Sequence, residues 1–242
     1  MDYQKTLFSQ YHETRSALLD PADKEKIAWF QFYFDKVYKA HFKSLPYNAR
    51  ILELGCNKGF LLAALQKEGY ENLTGVDLST GDLSVARKLL PEASFFEEDI
   101  FSFLEKHPDS FDCIVLKALI EHIRKEQILP FLEKLKTSLK PGGLVLIDVQ
   151  NSDWLFGLHD RYVDFTHEAG FTQESLRQIM LLYFNNVSVV PTQSPYWCMS
   201  RKDTIKHKIA RKLLSSLLRW AEPEAPSWTE RLLIATGKKI GY

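Results

Sequence analysis

The stretch Ile51–Phe60, ILELGCNKGF, runs from an apolar strand into a turn with two glycines and then into a helix. Gly55 and Gly59 lack a Cβ, so the backbone of this turn can approach a bound ligand closely. A dinucleotide-binding turn of the G-x-G-x-x-G type needs glycine at position 57, where this chain has Asn57. The stretch therefore predicts the first strand–turn–helix unit of an α/β fold and disfavours an NAD-dependent oxidoreductase.

Short apolar runs alternate with amphipathic stretches after this unit, a pattern typical of a parallel sheet built from βα units. We predict strands over Arg50–Leu54, Leu73–Val76, Ser94–Phe96, Asp112–Lys117, Gly143–Val149, Val187–Val190 and Arg231–Thr236, the last beside the sixth. We predict helices over Phe60–Glu68, Ser84–Leu90 and Ile128–Leu139, the last stopped by Pro141-Gly142-Gly143. The expected fold class is α/β, with a Rossmann-like, seven-stranded, mostly parallel sheet.

Two helical segments flank this predicted sheet. Residues 3–42 place Ile27, Phe30, Phe34 and Val37 at helix-compatible steps and are predicted to form an N-terminal helical cover. A helical insertion is predicted before the last strand. These features divide the chain into a cover (1–45), a cofactor-binding core (46–195) and a basic helical insertion with the final strand (196–242).

The insertion, Arg201–Trp220, is predicted to be an amphipathic helix. Its apolar residues recur in steps of four, at Ile205, Ile209, Leu213 and Leu217. Its other faces carry Lys206, Lys208, Arg211, Lys212 and Arg219. Two interpretations stay open: the apolar side packs on the core and the basic side faces water, or the helix docks on anionic lipid headgroups as a peripheral membrane contact.

The composition is that of an ordinary globular protein. Lys plus Arg and Asp plus Glu number 31 each, so the basic charge typical of nucleic-acid-binding proteins is missing. Cys56, Cys113 and Cys198 are widely separated, which favours neither a zinc site nor a disulfide framework. No apolar run reaches the roughly 18 residues that a membrane span needs. We expect a cytoplasmic protein without a nucleic-acid partner.

Acidic side chains follow the second and third predicted strands. Asp77 ends the run Thr74–Asp77, where a carboxylate can accept both hydroxyls of a ribose. Asp99 follows the third strand, where a carboxylate can accept from an adenine amino group. Because ligands of open α/β sheets bind at the carboxyl ends of the strands, these acids and the Gly55–Gly59 turn are predicted to meet in one crevice.

The segment Arg50–Val149 resembles the class I S-adenosylmethionine (SAM)-dependent methyltransferases. ILELGCNKG is similar to their first motif, TGVDLS to the ribose-binding motif, EEDI to the adenine-contacting motif, FDCIVLKALIEHI to the fourth-strand motif and LKPGGLVLIDV to the fifth. The resemblance implies SAM as the cofactor and methyl transfer as the reaction. The cofactor-binding residues that it implies are Glu53, Gly55, Cys56, Asn57, Gly59, Asp77, Leu78, Asp99, Ile100 and Lys117.

A general base is expected near the cofactor if the acceptor is a hydroxyl, because its proton must leave. Polar clusters follow the fourth strand, at Glu121-His122, and the fifth, at His159–Glu168 (HDRYVDFTHE). His167 is the preferred base because imidazole titrates near neutral pH. His122 is the second candidate, and Asp164 is a further catalytic candidate.

A divalent metal that acidifies a diol is an alternative to a protein base. The side chains considered for it are His159, Asp160, Asp164 and His167. Their spacing matches no familiar metal site, so the prediction is an enzyme without a metal.

The run of residues 161–180, RYVDFTHEAGFTQESLRQIM, resembles a segment of bacterial methyltransferases of polysaccharide and lipopolysaccharide biosynthesis. That resemblance implies methyl transfer to an oxygen or nitrogen of a sugar or glycan. Two alternatives stay open, a small metabolite such as a quinone precursor and a non-catalytic SAM-binding module. Within the run, Thr172 followed by Glu174 and Ser175 predicts the start of a helix.

Overall fold

The seven strands are β1 (Arg50–Leu54), β2 (Asn72–Asp77), β3 (Ser94–Glu97), β4 (Phe111–Lys117), β5 (Leu139–Gln150), β6 (Asn185–Thr192) and β7 (Leu232–Lys238). They form one sheet in the order β3-β2-β1-β4-β5-β7-β6. Neighbours pair in parallel except β7, which is antiparallel to both β5 and β6. The predicted fold class, a Rossmann-like and mostly parallel sheet, is confirmed.

This computed structural model describes residues 6–8, 10, 11, 13, 14, 23–195, 199–224, 226 and 228–240. Its α-helices are α1 (Asp23–Tyr33), α2 (Lys39–Phe42), α3 (Phe60–Lys67), α4 (Thr80–Leu89), α5 (Ile100–Glu105), α6 (Ile128–Ser138), α7 (Gly157–Tyr162), α8 (Gln173–Met180) and α9 (Arg201–Ala221). A π-helical turn, Phe34–Tyr38, joins α1 to α2. Short 3-10 turns follow β4 at Ile120–His122 and Lys125–Gln127.

The helices cover both faces of the sheet and bury two apolar clusters. In β4, Cys113 and Val115 belong to the cluster with α1, α3 and α4, whereas Ile114 and Leu116 belong to the cluster with α5, α6 and α8. Successive side chains of a strand point to opposite faces, so a central parallel strand needs apolar residues at every position. This explains why the inner strands are continuous apolar runs.

Some element bounds differ from the prediction for local reasons. Helix α4 begins at Thr80 instead of Ser84, because the Ser79 side chain accepts from the backbone N–H of Asp82 and caps the helix. Strand β5 begins at Leu139 instead of Gly143, because Leu139 already pairs with Phe111 across a register shift. The last strand lies beside β6, as predicted, and also beside β5.

The N-terminal cover is helical over residues 23–42, as predicted. Phe34 and Val37 are buried against strands of the sheet, with Tyr33 and Tyr38 beside them. The rest of the predicted helix includes residues 3–5, 9, 12 and 15–22, which lie outside the described residues. The division of the chain into three segments stays a prediction.

The apolar side of helix α9 does not pack on the core. The first of the two interpretations of this helix is therefore wrong. Ile205, Ile209, Leu213 and Leu217 are 58%, 56%, 66% and 59% exposed. The partly buried positions are Thr204, Arg211, Ser215 and Leu218. At 3.6 residues per turn these four lie on the other side of the helix, so a largely polar side faces the body. None of the described helices is both long and apolar enough to cross a bilayer.

Candidate active site

The glycine turn after β1 folds tightly against β2. Gly55, Asn57 and Gly59 have φ values of +67°, +47° and +73°, a region open to glycine and tolerated by asparagine. The N–H groups of Gly55 and Cys56 both donate to the carbonyl of Val76, at 2.8 and 3.1 Å. A Cβ on Gly55 would lie 3.0 Å from the Leu119 side chain. The turn therefore brings bare backbone to the carboxyl edge of the sheet.

Asp77, at the end of β2, holds this turn in place. Its Oδ2 accepts the N–H of Asn57 at 2.8 Å and its Oδ1 accepts the N–H of Ser79 at 2.9 Å. Burial raises the pKa of Asp77 from its ordinary value, although these bonds oppose the shift. The side chain of Asn57 donates to Asp82 at 2.9 Å, which ties the turn to α4. Asp77 is thus a fixed acceptor at the crevice wall.

Asp99 caps helix α5. Its Oδ1 accepts the N–H groups of Phe101 and Ser102 at 3.0 and 3.1 Å. The ordinary interpretation of an acid after a strand, a helix cap, is therefore correct here. Asp99 also lies on the crevice wall, next to Ile100, so capping and ligand binding are compatible.

A crevice of about 950 Å³ opens at the carboxyl edge of the sheet. The predicted cofactor-binding residues on its wall are Glu53, Gly55, Cys56, Asn57, Asp77, Leu78, Asp99, Ile100 and Lys117. Gly59 is not on the wall formed by the described residues; a Cβ there would lie 3.2 Å from Ala86. Glycine at 59 is explained by the close approach of α3 and α4.

Glu53 shows that this end of the crevice fits SAM. It is 4% exposed, and its Oε2 has no hydrogen-bond partner among the described residues. Burial raises the pKa of Glu53 well above its ordinary value, and the nearby charge of Lys117 opposes this. A buried acceptor without a donor is costly. The ammonium group of the methionine part of SAM would supply the donor.

A polar network unpredicted from the sequence lies at the base of the crevice. Asp148 of β5 is buried and accepts the hydroxyls of Tyr33, at 2.7 Å, and Tyr38. Lys117 Nζ lies 3.6 Å from Asp148 Oδ2 and 5.0 Å from the ring centre of Tyr33. Burial and the charge of Asp148 raise the pKa values of both tyrosines, so they stay protonated donors. The network fixes Lys117 and ties the N-terminal cover to the sheet.

His122 lies on the wall at the other end of the crevice. Its Nδ1 is 2.8 Å from Thr166 Oγ1, which donates to Asp164 Oδ1 at 2.7 Å. Because the hydroxyl hydrogen of Thr166 points to Asp164, Nδ1 of His122 must be the donor to Thr166. This assigns the tautomer in which Nε2 carries the basic lone pair.

Asp164 is built to remain ionised behind this histidine. Burial acts to raise its pKa, but hydrogen bonds from Thr166 and Tyr11 outweigh it and the pKa lies below its ordinary value. The Tyr11 hydroxyl donates to Asp164 Oδ2 at 2.9 Å. A carboxylate held this way stabilises a positive charge on His122 through Thr166.

His167, the general base that the sequence favours, lies behind His122. It is buried and outside the lining of the crevice, with its ring centre 4.7 Å from that of His122. Its Nδ1 lies 3.0 Å from the carbonyl oxygen of Asp160, and burial lowers its pKa. Its position favours His122 over His167 as the base.

Several side chains of the predicted polar run, His159–Glu168, form hydrogen bonds that hold this loop in place. Asp160 receives two hydrogen bonds from Arg231, each 2.9 Å long. Arg161 donates to the carbonyl oxygens of His167 and Glu168. The run therefore has a structural purpose apart from Asp164 and Thr166.

The four side chains considered for a metal do not gather into a site in the described part of the chain. The group that does is Glu121, His122 and His167, with one ligand atom from each lying within 4.8 Å of the others. Both carboxylate oxygens of Glu121 are without a hydrogen-bond partner among the described residues, and burial raises its pKa to about 8. These three residues can hold a divalent cation.

Aromatic residues of the N-terminal cover complete the His122 end, and the sequence did not single them out. The rings of Phe8 and Tyr11 meet that of His122 edge to face, with centres 5.9 and 6.4 Å away. Leu119 and Ile123 line the crevice nearby. The sequence feature that could have identified them is a pair of aromatic residues three positions apart, in a segment predicted to cover the sheet.

Comparison with known proteins gives one family match. Residues 7–197 match the profile of a family described as a methyltransferase domain. A ubiquinone biosynthesis O-methyltransferase of Photorhabdus laumondii is 28% identical over 119 residues, 46% of this chain and 48% of that protein. A malonyl-[acyl-carrier protein] O-methyltransferase of Halalkalibacterium halodurans is 29% identical over 130 residues, 51% and 47% respectively. The chain thus spans about half the length of these relatives.

Solved structures share the fold. A SAM-dependent methyltransferase from Archaeoglobus fulgidus superposes with a TM-score of 0.66 at 18% identity, over 99% of this chain and 100% of that one. Phosphoethanolamine N-methyltransferase 2 of Haemonchus contortus, in complex with S-adenosyl-L-methionine, gives 0.64 at 17% identity, over 99% and 60%. At these identities the likeness is one of fold.

Proposed function

The chain belongs to the methyltransferase domain family, a class of SAM-dependent enzymes, and on that premise we propose that it methylates a hydroxyl oxygen of a small, largely apolar metabolite. The observation that carries the proposal is His122. It shares the crevice with the glycine turn and Asp77, and Thr166 and Asp164 back it.

The residues of this chain divide the work between binding and proton transfer. SAM, when bound, supplies a methyl group on a positively charged sulfur. Glu53 would accept from the ammonium of its methionine part, Asp77 from the ribose and Asp99 from the adenine. His122 Nε2 would take the proton of the acceptor hydroxyl, whose oxygen would receive the methyl group. Asp164, through Thr166, stabilises the imidazolium formed.

The surroundings of His122 favour an apolar, flat acceptor over a sugar. Phe8, Tyr11, Leu119 and Ile123 line this end; rings and aliphatic groups suit an aromatic ring better than a polyol. The matched relatives carry the names of O-methyltransferases of ubiquinone biosynthesis and of malonyl-[acyl-carrier protein]. The small-metabolite alternative, such as a phenolic quinone precursor, is therefore our leading proposal.

The glycan acceptor has no separate support. Its motif, the run that includes Asp160 and Arg161, is explained by the bonds that hold the loop. A non-catalytic SAM-binding module also explains less than an enzyme does, because such a module has no need for a histidine with a fixed tautomer at the crevice wall.

Incubation of the full chain with methyl-labelled SAM tests the proposal. The acceptor panel pairs catechols and other phenols with nucleotide sugars and glycan fragments, and calorimetry measures SAM binding in parallel. Label in the phenols, absent from the sugars, supports the proposal. Label in the sugars alone, or SAM binding without transfer to any acceptor, would overturn it.

A further inference from the structure

Helix α9 presents an apolar stripe to the outside of the molecule. We define the apolar stripe as Ile205, Ile209, Leu213, Leu217 and Trp220; the last is 83% exposed. Monomeric soluble proteins rarely leave a large contiguous apolar surface in water, and such surfaces mark interaction sites. The helix turns its polar side to the body, so the stripe is available to a partner.

The charge of α9 indicates what that partner is. The chain as a whole has a formal net charge of +0, yet α9 has seven basic side chains and one acidic side chain, Asp203. The basic side chains are Arg201, Lys202, Lys206, Lys208, Arg211, Lys212 and Arg219. The carboxylate of Asp203 accepts a hydrogen bond from the Ser200 hydroxyl, and the N–H of Asp203 donates to the same hydroxyl oxygen, which caps the helix. The exposed surface of α9 is therefore complementary to a negatively charged partner.

The positions of the basic residues around α9 are those expected of a helix that lies at a membrane surface. At 100° per residue, Arg201, Lys208, Lys212 and Arg219 form a row along one border of the apolar stripe. Lys202 and Lys206 lie within the stripe at its N-terminal half, where their long side chains can extend to a charged surface. A helix with Leu, Ile and Trp on one face and Lys and Arg beside them is typical of helices that lie in the membrane interface.

A second copy of the chain suits this surface less well. Two α9 helices paired through their apolar stripes would bring their basic borders together, with one acidic side chain per helix, Asp203, to balance them. Like charges at close range disfavour such a pair, whereas anionic headgroups neutralise the same residues.

We propose that α9 docks the chain on bilayers that contain anionic lipids, with the apolar stripe at the boundary between headgroups and acyl chains and the basic residues on the headgroups. More exposed apolar residues lie around α7, at Leu155, Phe156, Leu158, Tyr162 and Phe165. Phe165 directly precedes Thr166, the partner of His122. An exposed apolar residue therefore also lies one position from the acceptor end of the crevice.

Co-sedimentation of the full chain with vesicles tests this inference independently of methyl transfer. The vesicles contain phosphatidylcholine alone or mixed with phosphatidylglycerol. The expected result is binding to the mixed vesicles that weakens as salt concentration rises, because salt screens the headgroup charge. Absence of binding to the mixed vesicles, or equal binding to both vesicle types, would overturn the inference.

Single substitutions on exposed positions locate the surface. Leu213→Glu should weaken the vesicle affinity about tenfold, since it removes an inserted apolar side chain and adds a repelled charge. Leu182→Glu is the matched control, because Leu182 is 63% exposed and lies outside α9; it should bind like the wild type. Equal weakening by both variants contradicts the assignment.

A charge variant and the oligomeric state complete the test. Lys208→Gln combined with Lys212→Gln should weaken binding roughly tenfold at low salt and less at high salt. Light scattering of the lipid-free protein should give the mass of a monomer that Leu213→Glu leaves unchanged. A dimer that Leu213→Glu dissociates would assign the apolar stripe to a second copy and overturn the lipid proposal.

Discussion

The two ends of the crevice differ in how the chain builds them. At the cofactor end, the Gly55–Gly59 turn, Asp77 and Asp99 come from three successive strand ends in one continuous part of the sequence. At the acceptor end, one hydrogen bond joins residues 153 positions apart, Tyr11 and Asp164, and another joins His122 and Thr166, 44 apart. The residues proposed to bind the cofactor are therefore close together in the sequence, whereas those proposed for proton transfer meet only in the folded chain.

Removal of the imidazole at His122 should have the largest effect. We expect His122→Ala to lower kcat about 10²- to 10³-fold, because general base catalysis contributes about that much, while the affinity for SAM stays within twofold or so. Kinetics with labelled SAM and calorimetry measure the two quantities. His159→Ala is the control, since His159 is exposed in the polar run that supplies Thr166 and Asp164; equal losses in both variants contradict a specific role for His122.

A substitution at the cofactor end should have the opposite pattern, a weaker affinity for SAM with little change in kcat. Asp77→Asn should weaken SAM binding roughly 10- to 100-fold, because charge-assisted hydrogen bonds to the ribose become neutral ones. The amide retains an oxygen for the N–H of Asn57, so the turn should survive, while the N–H of Ser79 loses its acceptor. With SAM at saturation, kcat should be near the wild-type value. A variant that loses kcat and keeps its SAM affinity would remove Asp77 from the cofactor site.

Thr166 should show a smaller effect as a positioning residue. Thr166→Val removes the acceptor of the His122 Nδ1 proton and should lower kcat about tenfold. The acidic limb of its kcat profile should move to lower pH, because the imidazolium loses its connection to the Asp164 charge. Thr166→Ser should restore both the rate and the profile. An unshifted profile in the valine variant would leave Thr166 with a packing role alone.

A separate effect, on stability instead of catalysis, is expected at Glu121. Burial raises its pKa from 4.5 to about 8. The folded protein therefore holds a proton that the unfolded chain loses, and this group lowers the free energy of unfolding as pH rises between those values. Glu121→Gln does not titrate and should gain stability relative to the wild type from pH 5 to pH 8, by about 3 to 4 kcal/mol. Chemical denaturation across that range, with a chelator present, should show the difference level off above pH 8.

Chelation matters in that experiment because Glu121, His122 and His167 can hold a cation. A bound cation would keep Glu121 ionised and abolish the pH trend. Repetition with added magnesium or zinc therefore separates a buried neutral acid from a metal ligand: parallel stability curves without metal would contradict the buried neutral acid.

The fold, and the crevice wall at the Gly55–Gly59 turn, could be predicted because each element carries its own signal. The strand β1, its glycine turn and the acids after β2 and β3 obey the rules for parallel sheets residue by residue. The few errors of element bounds, at Ser79 and Leu139, arose where a side-chain cap or a register shift overrode the apolar pattern. Local physical chemistry was sufficient in this half.

The acceptor end could be predicted only in part: His122 and Asp164 were among the candidates, and their assembly with Tyr11 and Thr166 was not predicted. The sequence favoured His167, an imidazole in a dense polar run. In the structure, Arg161 of that run donates to a carbonyl of the same loop and Asp160 accepts from Arg231, so these charges hold the loop. The position of His122 beside Tyr11 and Thr166 depends on how three distant segments pack. Likewise, the exposure of the apolar side of α9 follows from which side of the helix meets the body, which no periodicity reveals.

A crystal structure of the full chain with S-adenosylhomocysteine and a catechol tests the central claim, that one crevice holds a cofactor at the glycine turn and an acceptor at His122. The account predicts the ribose at Asp77, the amino group at Glu53 and a catechol oxygen within hydrogen-bond distance of His122 Nε2, about 2.6–3.2 Å. A catechol bound away from His122, or a nucleoside bound away from Asp77, would contradict it.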